Sequence, residues 1–268
     1  MIRSIWNSRS GMSAQMEKMD IISNNIANIN TAGYKKKEIN FSNLMQETLK
    51  RRGYPVDGNK QENAVFTGTG VRVSEVQMDN LQGSLLQTDK NTDLAIDGVG
   101  MFKVIDPNGN EAYTRAGTFK IDKNGTIVDS NGNRLVILDQ NGINVNNQNG
   151  NFVEKDFIVD NKGNLISDRY NGLRIPIYKT IGSNSMKSIG NNLYVPEVTV
   201  DENGLEQQAR VIESGDADIL QGFVENSNVD LGKEMADMII TQRAFQLNSS
   251  ALKTADEMWQ MANNLRSR

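Results

Sequence analysis

Three short segments of the sequence carry the oxygen ligands that calcium prefers. Each has the form Asp-x-Asn-Gly, and the three begin at Asp122, Asp129 and Asp139. Calcium loops place Asp and Asn oxygens at alternate positions ahead of a glycine. None of the three has the acidic residue that closes an EF-hand loop, and the spacing between them is irregular. The pattern therefore favours ordinary hairpin turns, with a weak ion site as the alternative.

The composition limits other chemistry. The 268 residues include no cysteine and no histidine, which excludes disulfides, thiolate nucleophiles, imidazole–metal sites and serine–histidine triads. An enzyme built from this chain would depend on carboxylates, lysine or tyrosine, and its acidic residues are scattered without an evident pair. We therefore expect a protein that is not an enzyme and that has no catalytic residue, metal site or cofactor.

Charge and hydropathy bear on partners and location. The net charge is −4, so nucleic acid is not an expected partner. No run of 18 apolar residues is present, so membrane insertion is not expected either. The amino terminus lacks an apolar stretch of signal-peptide length. That fact alone favours the cytoplasm, although export without a cleaved signal would leave the same sequence. The basic clusters Lys35–Lys37 and Lys50–Arg52 are interpreted as solvated faces.

Both ends of the chain are predicted to be helices with an apolar row that repeats every seven residues. The row on the amino-terminal helix, here the N-seam, consists of Ile5, Met12, Met19 and Ile26. The row on the carboxyl-terminal helix, here the C-seam, consists of Leu231, Met238, Phe245, Leu252 and Trp259. A strict seven-residue repeat implies a partner helix and a left-handed supercoil. Residues 1–53 carry a net charge of +5 and residues 212–268 carry −4, so the two helices are expected to pair.

The middle of the chain is predicted to be an antiparallel β region. Short strand-like runs alternate with seven Asn-Gly dipeptides, which begin at Asn108, Asn124, Asn131, Asn141, Asn149, Asn171 and Asn203. Asn-Gly is the preferred pair for two-residue hairpin turns in which both positions have positive φ. So many hairpins favour antiparallel pairing over a parallel βαβ sheet.

These patterns together predict an α+β fold. Long terminal helices form a coiled-coil stalk, and a mainly antiparallel β domain is inserted between them. The predicted divisions are a helix over 1–30, a connecting segment over 31–70, a β domain over 71–212, and a connector and helix over 213–268. Two helices alone cannot bury both apolar rows well. We therefore expect copies of the chain to bury the rest by assembling with one another.

Four segments, in order along the chain, resemble the bacterial flagellar rod and hook protein family. The first is Ala27-Asn-Ile-Asn-Thr-Ala-Gly-Tyr-Lys35, preceded by Ser23-Asn24-Asn25. The second is Gln82–Thr88 followed by Asp93–Phe102, and the third is Tyr113–Phe119 followed by Asp122 and Asn124-Gly125. The fourth is Gln221–Val229 together with Met238–Thr254. By resemblance, an export or assembly role is implied for the residues that match the amino-terminal motif: Asn24, Asn25, Ala27, Asn28, Asn30, Thr31, Gly33, Tyr34 and Lys35.

The resemblance implies a structural role. Members of this family are exported through the flagellar type III apparatus without a cleaved signal and assemble helically outside the cytoplasmic membrane. Their terminal helices form an inner tube and their β domains lie outside it. The polar stretch Gln46–Thr67 is similar to that of distal-rod subunits. The implied product is a hollow drive shaft that carries torque to the hook, with the chain itself, neighbouring rod and hook proteins and the export apparatus as partners.

The residues also leave three alternative functions open. A subunit of the proximal rod, of the same β-bearing type, is the nearest alternative. A calcium-stiffened surface adhesin built on the Asp-x-Asn-Gly turns is more remote. A carboxylate glycosidase acting on the cell wall is a third class, although no segment of the sequence resembles one.

Overall fold

In the computed structural model of the chain, a long helix lies at each end of the sequence and strands lie between them along the chain. The structure describes residues 2–43, 46–48, 66–68, 70–146, 151–167, 170, 172–181, 186–200 and 206–266. The helices are α1 (Ile2–Ala27) and α2 (Leu231–Arg266). The strands are β1 (Lys37–Asn43), β2 (Gln46–Thr48), β3 (Phe66–Gly68), β4 (Val71–Met78), β5 (Leu85–Gln87), β6 (Leu94–Asp97), β7 (Met101–Ile105), β8 (Glu111–Thr114), β9 (Lys120–Ile121), β10 (Ile127–Val128), β11 (Arg134–Leu135), β12 (Ile177–Thr180), β13 (Met186–Gly190), β14 (Leu193–Pro196), β15 (Val198–Val200), β16 (Glu206–Gln208), β17 (Val211–Glu213), β18 (Asp218–Gln221) and β19 (Phe223–Glu225).

The predicted combination of two terminal helices and a mainly antiparallel β region is confirmed. Helices stand at both ends of the chain, and the strand pairings of the described residues are antiparallel. The chain divides into two compact units. The helical unit contains residues 1–27, 37–79 and 230–268, and the β unit contains residues 28–36 and 80–229.

The helical unit combines the two helices with a small antiparallel ribbon. α1 packs against α2, and it also contacts β1 and β4. β1 pairs with β4 along its length, from Lys37 opposite Met78 to Asn43 opposite Val71, and β2 pairs with β3. The sequence prediction treated residues 31–70 as a connection and began the β domain at residue 71. In the structure, β4 instead pairs with β1, whose short alternation around Ile39 and Phe41 carries a weak strand signal. Most of the polar stretch Gln46–Thr67 lies outside the described residues.

The β unit is built around one antiparallel sheet. Its strands follow the order β13-β14-β8-β7-β11-β10-β9, and β12 pairs with both β7 and β17. Two further pairs, β5 with β19 and β6 with β18, join the start of this unit to its end. The core contains Phe102 and Phe119 in edge-to-face contact, with ring centroids 5.5 Å apart. The rest of the core contains the aromatic rings of Phe152, Phe157 and Tyr170 and many aliphatic side chains, including Leu94, Ile96, Ile127, Leu135, Ile137, Ile175 and Ile219.

The hairpin turns use a different backbone geometry from the predicted one. In the four Asn-Gly pairs that the structure describes in full, the glycine has positive φ and the asparagine does not. Each belongs to a five-residue turn that begins at an aspartate, as in Asp122, whose N–H donates to Thr126 O while Gly125 N–H donates to Asp122 O, both at 2.8 Å. This is a type I turn followed by a left-handed glycine. The prediction that both positions have positive φ was therefore wrong for these pairs, and it holds instead at Asn191 and Asn192, between β13 and β14.

Neither helix has the length of apolar sequence that crossing a membrane requires, as far as the described residues go.

Candidate assembly site

The residues that follow α1 form a short connector, residues 28–36, which belongs to the β unit. Its backbone turns through bonds from Thr31 N–H to Asn28 O at 3.1 Å and from Tyr34 N–H to Thr31 O at 3.2 Å. Gly33 then adopts φ of +67°, a conformation that glycine takes at little steric cost. Gly33 N–H donates to Glu225 O at 2.8 Å, and a β-carbon at this position would lie only 2.4 Å from Ala116 N. The turn and the close backbone approach both require glycine.

A buried cluster of charges fixes the end of the connector. Lys35 Nζ lies 2.7 Å from Glu225 Oε1, and Arg115 Nε lies 2.5 Å from Glu225 Oε2. Gly83 N–H donates to Glu225 Oε1 at 2.9 Å. The side chains of Lys35 and Arg115 are each 4% exposed and that of Glu225 is 1% exposed. A single buried carboxylate thus joins three stretches of chain that are distant in the sequence.

Backbone carbonyl groups accept the remaining hydrogen bonds of the two cations. Arg115 donates from Nη1 to Gly100 O at 2.5 Å, and from Nη2 to Gly98 O at 2.7 Å and Ile96 O at 3.0 Å. Lys35 Nζ donates to Leu81 O at 2.6 Å. These carbonyl dipoles disperse the second positive charge, which Glu225 alone would leave uncompensated. Gly98 and Gly100 supply two of these acceptors.

The surroundings of Glu225 alter its acidity. Burial by itself raises the pKa of this carboxyl group. The charge of Arg115, together with hydrogen bonds from Arg115, Lys35 and Gly83 N–H, outweighs burial and lowers the pKa below 4.5. Glu225 is therefore held ionised, as a buried carboxylate with two cationic partners should be.

Two further hydrogen bonds hold the backbone of the connector, and the connector itself contributes one buried aromatic ring. Lys36 N–H donates to Asn228 Oδ1 at 2.7 Å, and Asn192 Nδ2 donates to Ala32 O at 3.0 Å. Tyr34 is 4% exposed. The pKa of Tyr194, chiefly through burial and secondarily through Tyr34, is raised to about 12.

The interpretation of the basic cluster 35–37 as a solvated face was wrong for two of its members. Lys35 and Lys36 are buried, at 3% and 8% exposure. A run of lysines is usually solvated, and the sequence contains no local sign that Glu225 lies opposite Lys35. Only the family motif, which includes Lys35, marked this residue as special.

A second polar site, in the helical unit, lies near the end of α1. Asn25 accepts a hydrogen bond from Lys37 N–H at 3.0 Å and donates to Lys37 O at 2.9 Å, so its amide bonds both backbone groups of one residue. Asn25 Nδ2 also lies 3.1 Å from Glu234 Oε2. Asn25 and Glu234 are each 1% exposed. The same asparagine therefore joins α1, the start of β1 and the first turn of α2.

The most buried row of α2 is more polar than the predicted C-seam. Glu234, Thr241 and Ala255 are each 1% exposed, and half-buried Asn248 completes a seven-residue repeat with them. A β-carbon on Gly11 of α1 would lie 2.9 Å from Asn248 Nδ2, so the helices approach closely here. A search for apolar repeats passes over this row because three of its four members are polar. The seven-residue spacing itself was available in the sequence.

The predicted seams are less buried than this row. All four N-seam residues are half-buried, as are Met238, Phe245 and Leu252 of the C-seam. Leu231 and Trp259, at the ends of the C-seam, are 43% and 47% exposed. A coiled coil formed by these seams stays a prediction.

The motif residues fall into two groups. Asn25, Gly33, Tyr34 and Lys35 are buried and take part in the two sites described above. The remaining motif residues are exposed or half-buried, and they are Asn24, Ala27, Asn28, Asn30 and Thr31. The export or assembly role of the motif stays a prediction for all of them.

The chemistry of these sites is structural. The buried charges already have protein partners, and no group of three or more acidic side chains in the described part of the chain could hold a metal ion. What the two sites do is fix the connector and the helix ends in place. The fold and its sites thus define a structural subunit.

Comparisons with known proteins give the family of that subunit. Three family descriptions match: "Flagella basal body rod protein" over residues 5–35, "Flagellar hook protein FlgE/F/G D1 domain" over 95–205, and "Flagellar basal body rod FlgEFG protein C-terminal" over 220–265. The chain is 35% identical to the flagellar basal-body rod protein FlgG of Borreliella burgdorferi, over 99% of each chain. It is 34% identical to the FlgG of Caulobacter vibrioides, over 99% of this chain and all of that protein. It is 33% identical to the FlgG of Bacillus subtilis, with the same coverage.

The chain belongs to the flagellar basal-body rod protein family. It is a structural subunit of the flagellar basal body and not an enzyme, as the sequence predicted. Membership also indicates assembly with other rod and hook proteins.

Proposed function

We propose that the chain polymerises helically with copies of itself into the distal part of the rod, a hollow drive shaft that transmits motor torque to the hook. Full-length similarity to several FlgG proteins supports the rod assignment. A proximal position in the same shaft is the alternative. Each copy would add the same set of contacts, so that the stiffness of the shaft comes from repetition.

The observation that carries this proposal is the apolar surface of the two helices. On α2, Ile239 and Ile240 are 60% and 62% exposed, and Leu247 and Leu265 are 71% and 79% exposed. On α1, Trp6 is 57% exposed. An extended apolar surface of this kind on one chain indicates a protein–protein interface. Each such side chain, once buried by a neighbouring copy, contributes on the order of 1.5–3 kcal/mol.

The proposed assembly gives the two units different tasks. The terminal helices form a coiled-coil inner tube through the N-seam and the C-seam, and the β domain lies outside. The motif around Asn25 and Lys35 sets the position of the connector that leads from α1. Its exposed members, such as Ala27 and Asn30, are then available to neighbouring subunits or to the export apparatus.

The proposed location is outside the cytoplasmic membrane. The type III export apparatus of the flagellum would carry the chain there without a cleaved signal. Besides copies of itself, its partners would be the neighbouring rod and hook proteins.

The experiment is an in-frame deletion of the gene in its host, followed by electron microscopy of isolated basal bodies. We expect loss of motility and rods that end before the hook, and the point of truncation separates a distal from a proximal position. Complementation compares Ile240→Asp and Leu247→Asp with Ser250→Asp, a matched change at an exposed polar position on the same helix. The first two should fail and the third should succeed. Complete basal bodies with hooks in the deletion strain would overturn the proposal.

A further inference from the structure

Asn-Gly dipeptides are the places in a chain where an asparagine amide is lost most readily. The backbone nitrogen of the glycine attacks Cγ of the asparagine, the Cγ–Nδ2 bond breaks, and ammonia leaves with the glycine N–H proton. A cyclic succinimide remains, and water opens it to aspartate or isoaspartate. The reaction consumes only water, and it requires a glycine nitrogen that is free to approach Cγ.

In all four turns that the structure describes in full, the glycine N–H is already hydrogen-bonded. The N–H of Gly109, Gly125 and Gly142 donates to the carbonyl of the aspartate three residues earlier at 2.8 Å, and that of Gly132 does so at 3.2 Å. The four asparagines are exposed to water. Loss of the amide therefore depends on how often each turn opens, in the way that proteolysis of a folded protein follows the population of its open form.

The turns at Asn108, Asn124 and Asn131 are reinforced by their surroundings. The first closes the β7–β8 pair, which has four residue pairs in register. The second is anchored by Phe152 N–H, which donates to Gly125 O at 2.8 Å.

The third turn is held closed by the carboxylate of its own first residue, Asp129. The carboxylate of Asp129 accepts hydrogen bonds from Asn131 N–H at 2.7 Å, Asn133 N–H at 3.0 Å and Asn133 Nδ2 at 2.8 Å. Asp129 is buried, at 9% exposure. Opening this turn would break all three bonds at once.

The turn at Asn141 has less support. Its flanks form one isolated bridge, Leu138 opposite Asn144, in place of a strand ladder. Beyond it, Val145 N–H donates to Ile137 O at 2.9 Å, and Ile137 N–H donates to Asn144 Oδ1 at 3.2 Å. Within the turn, the carboxylate of Asp139 accepts a hydrogen bond from Gln140 N–H, in contrast to the three bonds that Asp129 accepts.

Residues 140–143 are exposed, as residues 107–110 around Asn108 are, so the difference between these two turns lies in the pairing of their flanking residues. Among the four Asn-Gly pairs that the structure describes in full, we propose that Asn141 is the site of covalent modification in the folded chain, where the amide is lost spontaneously, while the turns protect Asn108, Asn124 and Asn131.

Modification at Asn141 would change the surface of the β unit. The product carries a new negative charge two residues from Asp139, where like charges repel. As isoaspartate, it also inserts a methylene group into the backbone, which the Leu138–Asn144 bridge would have to accommodate.

The test follows all four asparagines in the same full-length sample. The folded chain and the chain in urea are held in mildly alkaline buffer, digested with trypsin at intervals and analysed by mass spectrometry. Fragmentation is needed because Asn124 and Asn131 share the tryptic peptide 124–134, and because Asn141 shares the peptide 135–155 with the Asn-Gly pair at Asn149. In urea we expect all four to convert at similar rates. In the folded chain Asn141 should convert first, and Asn131 more slowly by about tenfold or more.

Two variants make the test specific. Asn141→Gln should remove the early product without changing the other sites. Asp129→Ala removes the carboxylate that holds the third turn closed. It should raise the rate of amide loss at Asn131 relative to the rate at Asn108 in the same molecule. That ratio distinguishes local opening from global unfolding, which accelerates both. Conversion of Asn124 or Asn131 as fast as Asn141 in the folded chain would overturn the proposal, as would an unchanged ratio in Asp129→Ala.

Discussion

The ammonium group of Lys35 lies 2.7 Å from the carboxylate of Glu225, a residue 190 positions away in the sequence. This contact joins the connector after α1 to the end of β19, so the β unit is closed by residues from its two sequence extremes. A buried ion pair of this kind need not add net stability over apolar residues of the same shape. Removing one member of the cluster is strongly destabilising, because the charges that remain are then buried without that partner.

Replacement of Glu225 tests this closure. Glu225→Gln leaves Lys35 and Arg115 without a counter-ion, and it should destabilise the β unit by about 3–5 kcal/mol, as breaking a buried pair does. Urea unfolding followed by the near-ultraviolet circular dichroism of the tyrosines measures the loss. The matched control is Glu213→Gln, which breaks the exposed pair with Arg174 and should cost about 1 kcal/mol at most. Equal losses in the two variants would show that the buried cluster is unimportant.

Acid should weaken the same cluster. The pKa of Glu225 is lowered from 4.5 in the folded chain, so its contribution to stability is complete above pH 4.5 and is lost as the pH falls through the lowered folded value. The difference in unfolding free energy between wild type and Glu225→Gln isolates this group from the other carboxylates. We expect the difference to shrink steadily below pH 4.5. A difference that stays constant with pH would contradict the assignment.

The connector turn should be sensitive to a single methyl group. Gly33→Ala places a β-carbon 2.4 Å from Ala116 N at φ of +67°, so it suffers both backbone strain and a collision. Gly109→Ala, at φ of +88° with open space around it, suffers the strain alone, about 1–2 kcal/mol. Thermal unfolding should therefore show a larger loss for Gly33→Ala. Similar melting temperatures for the two variants would mean that the backbone at Ala116 yields to the extra atom.

Local patterns in the sequence were sufficient for the general architecture. The seven-residue repeats located both helices, and the Asn-Gly dipeptides marked hairpins in an antiparallel region. The backbone of those turns could not be predicted from the dipeptide alone, because the length of the loop selects the turn type. The family motif included Lys35 and Asn25, although no local feature of the sequence showed what either one contacts.

Pairings over long sequence distances could not be predicted. Glu225 was one of many scattered acidic residues, and its importance depends on Lys35 and Arg115 converging from remote segments. Likewise, the most buried row of α2 contains Glu234 and Thr241, which a search for apolar residues does not recognise. Burial of polar groups depends on partners in three dimensions, and a single sequence does not reveal them.

The end of α1 offers a prediction for the helical unit. Asn25→Ala removes the buried amide that bonds both backbone groups of Lys37 and the carboxylate of Glu234, and the loss of a partner at a buried polar site costs about 1–3 kcal/mol. Ser23→Ala, at an exposed position on the same helix, is the control. Far-ultraviolet circular dichroism should show a lower melting temperature for the helices in Asn25→Ala than in the control. If the two variants melt together, Asn25 does not hold the start of β1 to the helices.

The C-seam gives the prediction that bears most directly on assembly. Phe245 and Leu252 are half-buried on α2, and an aspartate at either position would carry a charge into an apolar contact, where burial without a partner is costly. We expect Phe245→Asp and Leu252→Asp to abolish motility and to leave truncated rods. The tyrosine circular dichroism of the β unit should stay as in wild type, because neither residue belongs to that unit. Gln246→Asp, an exposed change next to Phe245, should support normal swimming. Normal motility in both seam variants would refute the C-seam as an assembly surface, whatever role the more exposed Ile240 and Leu247 then have.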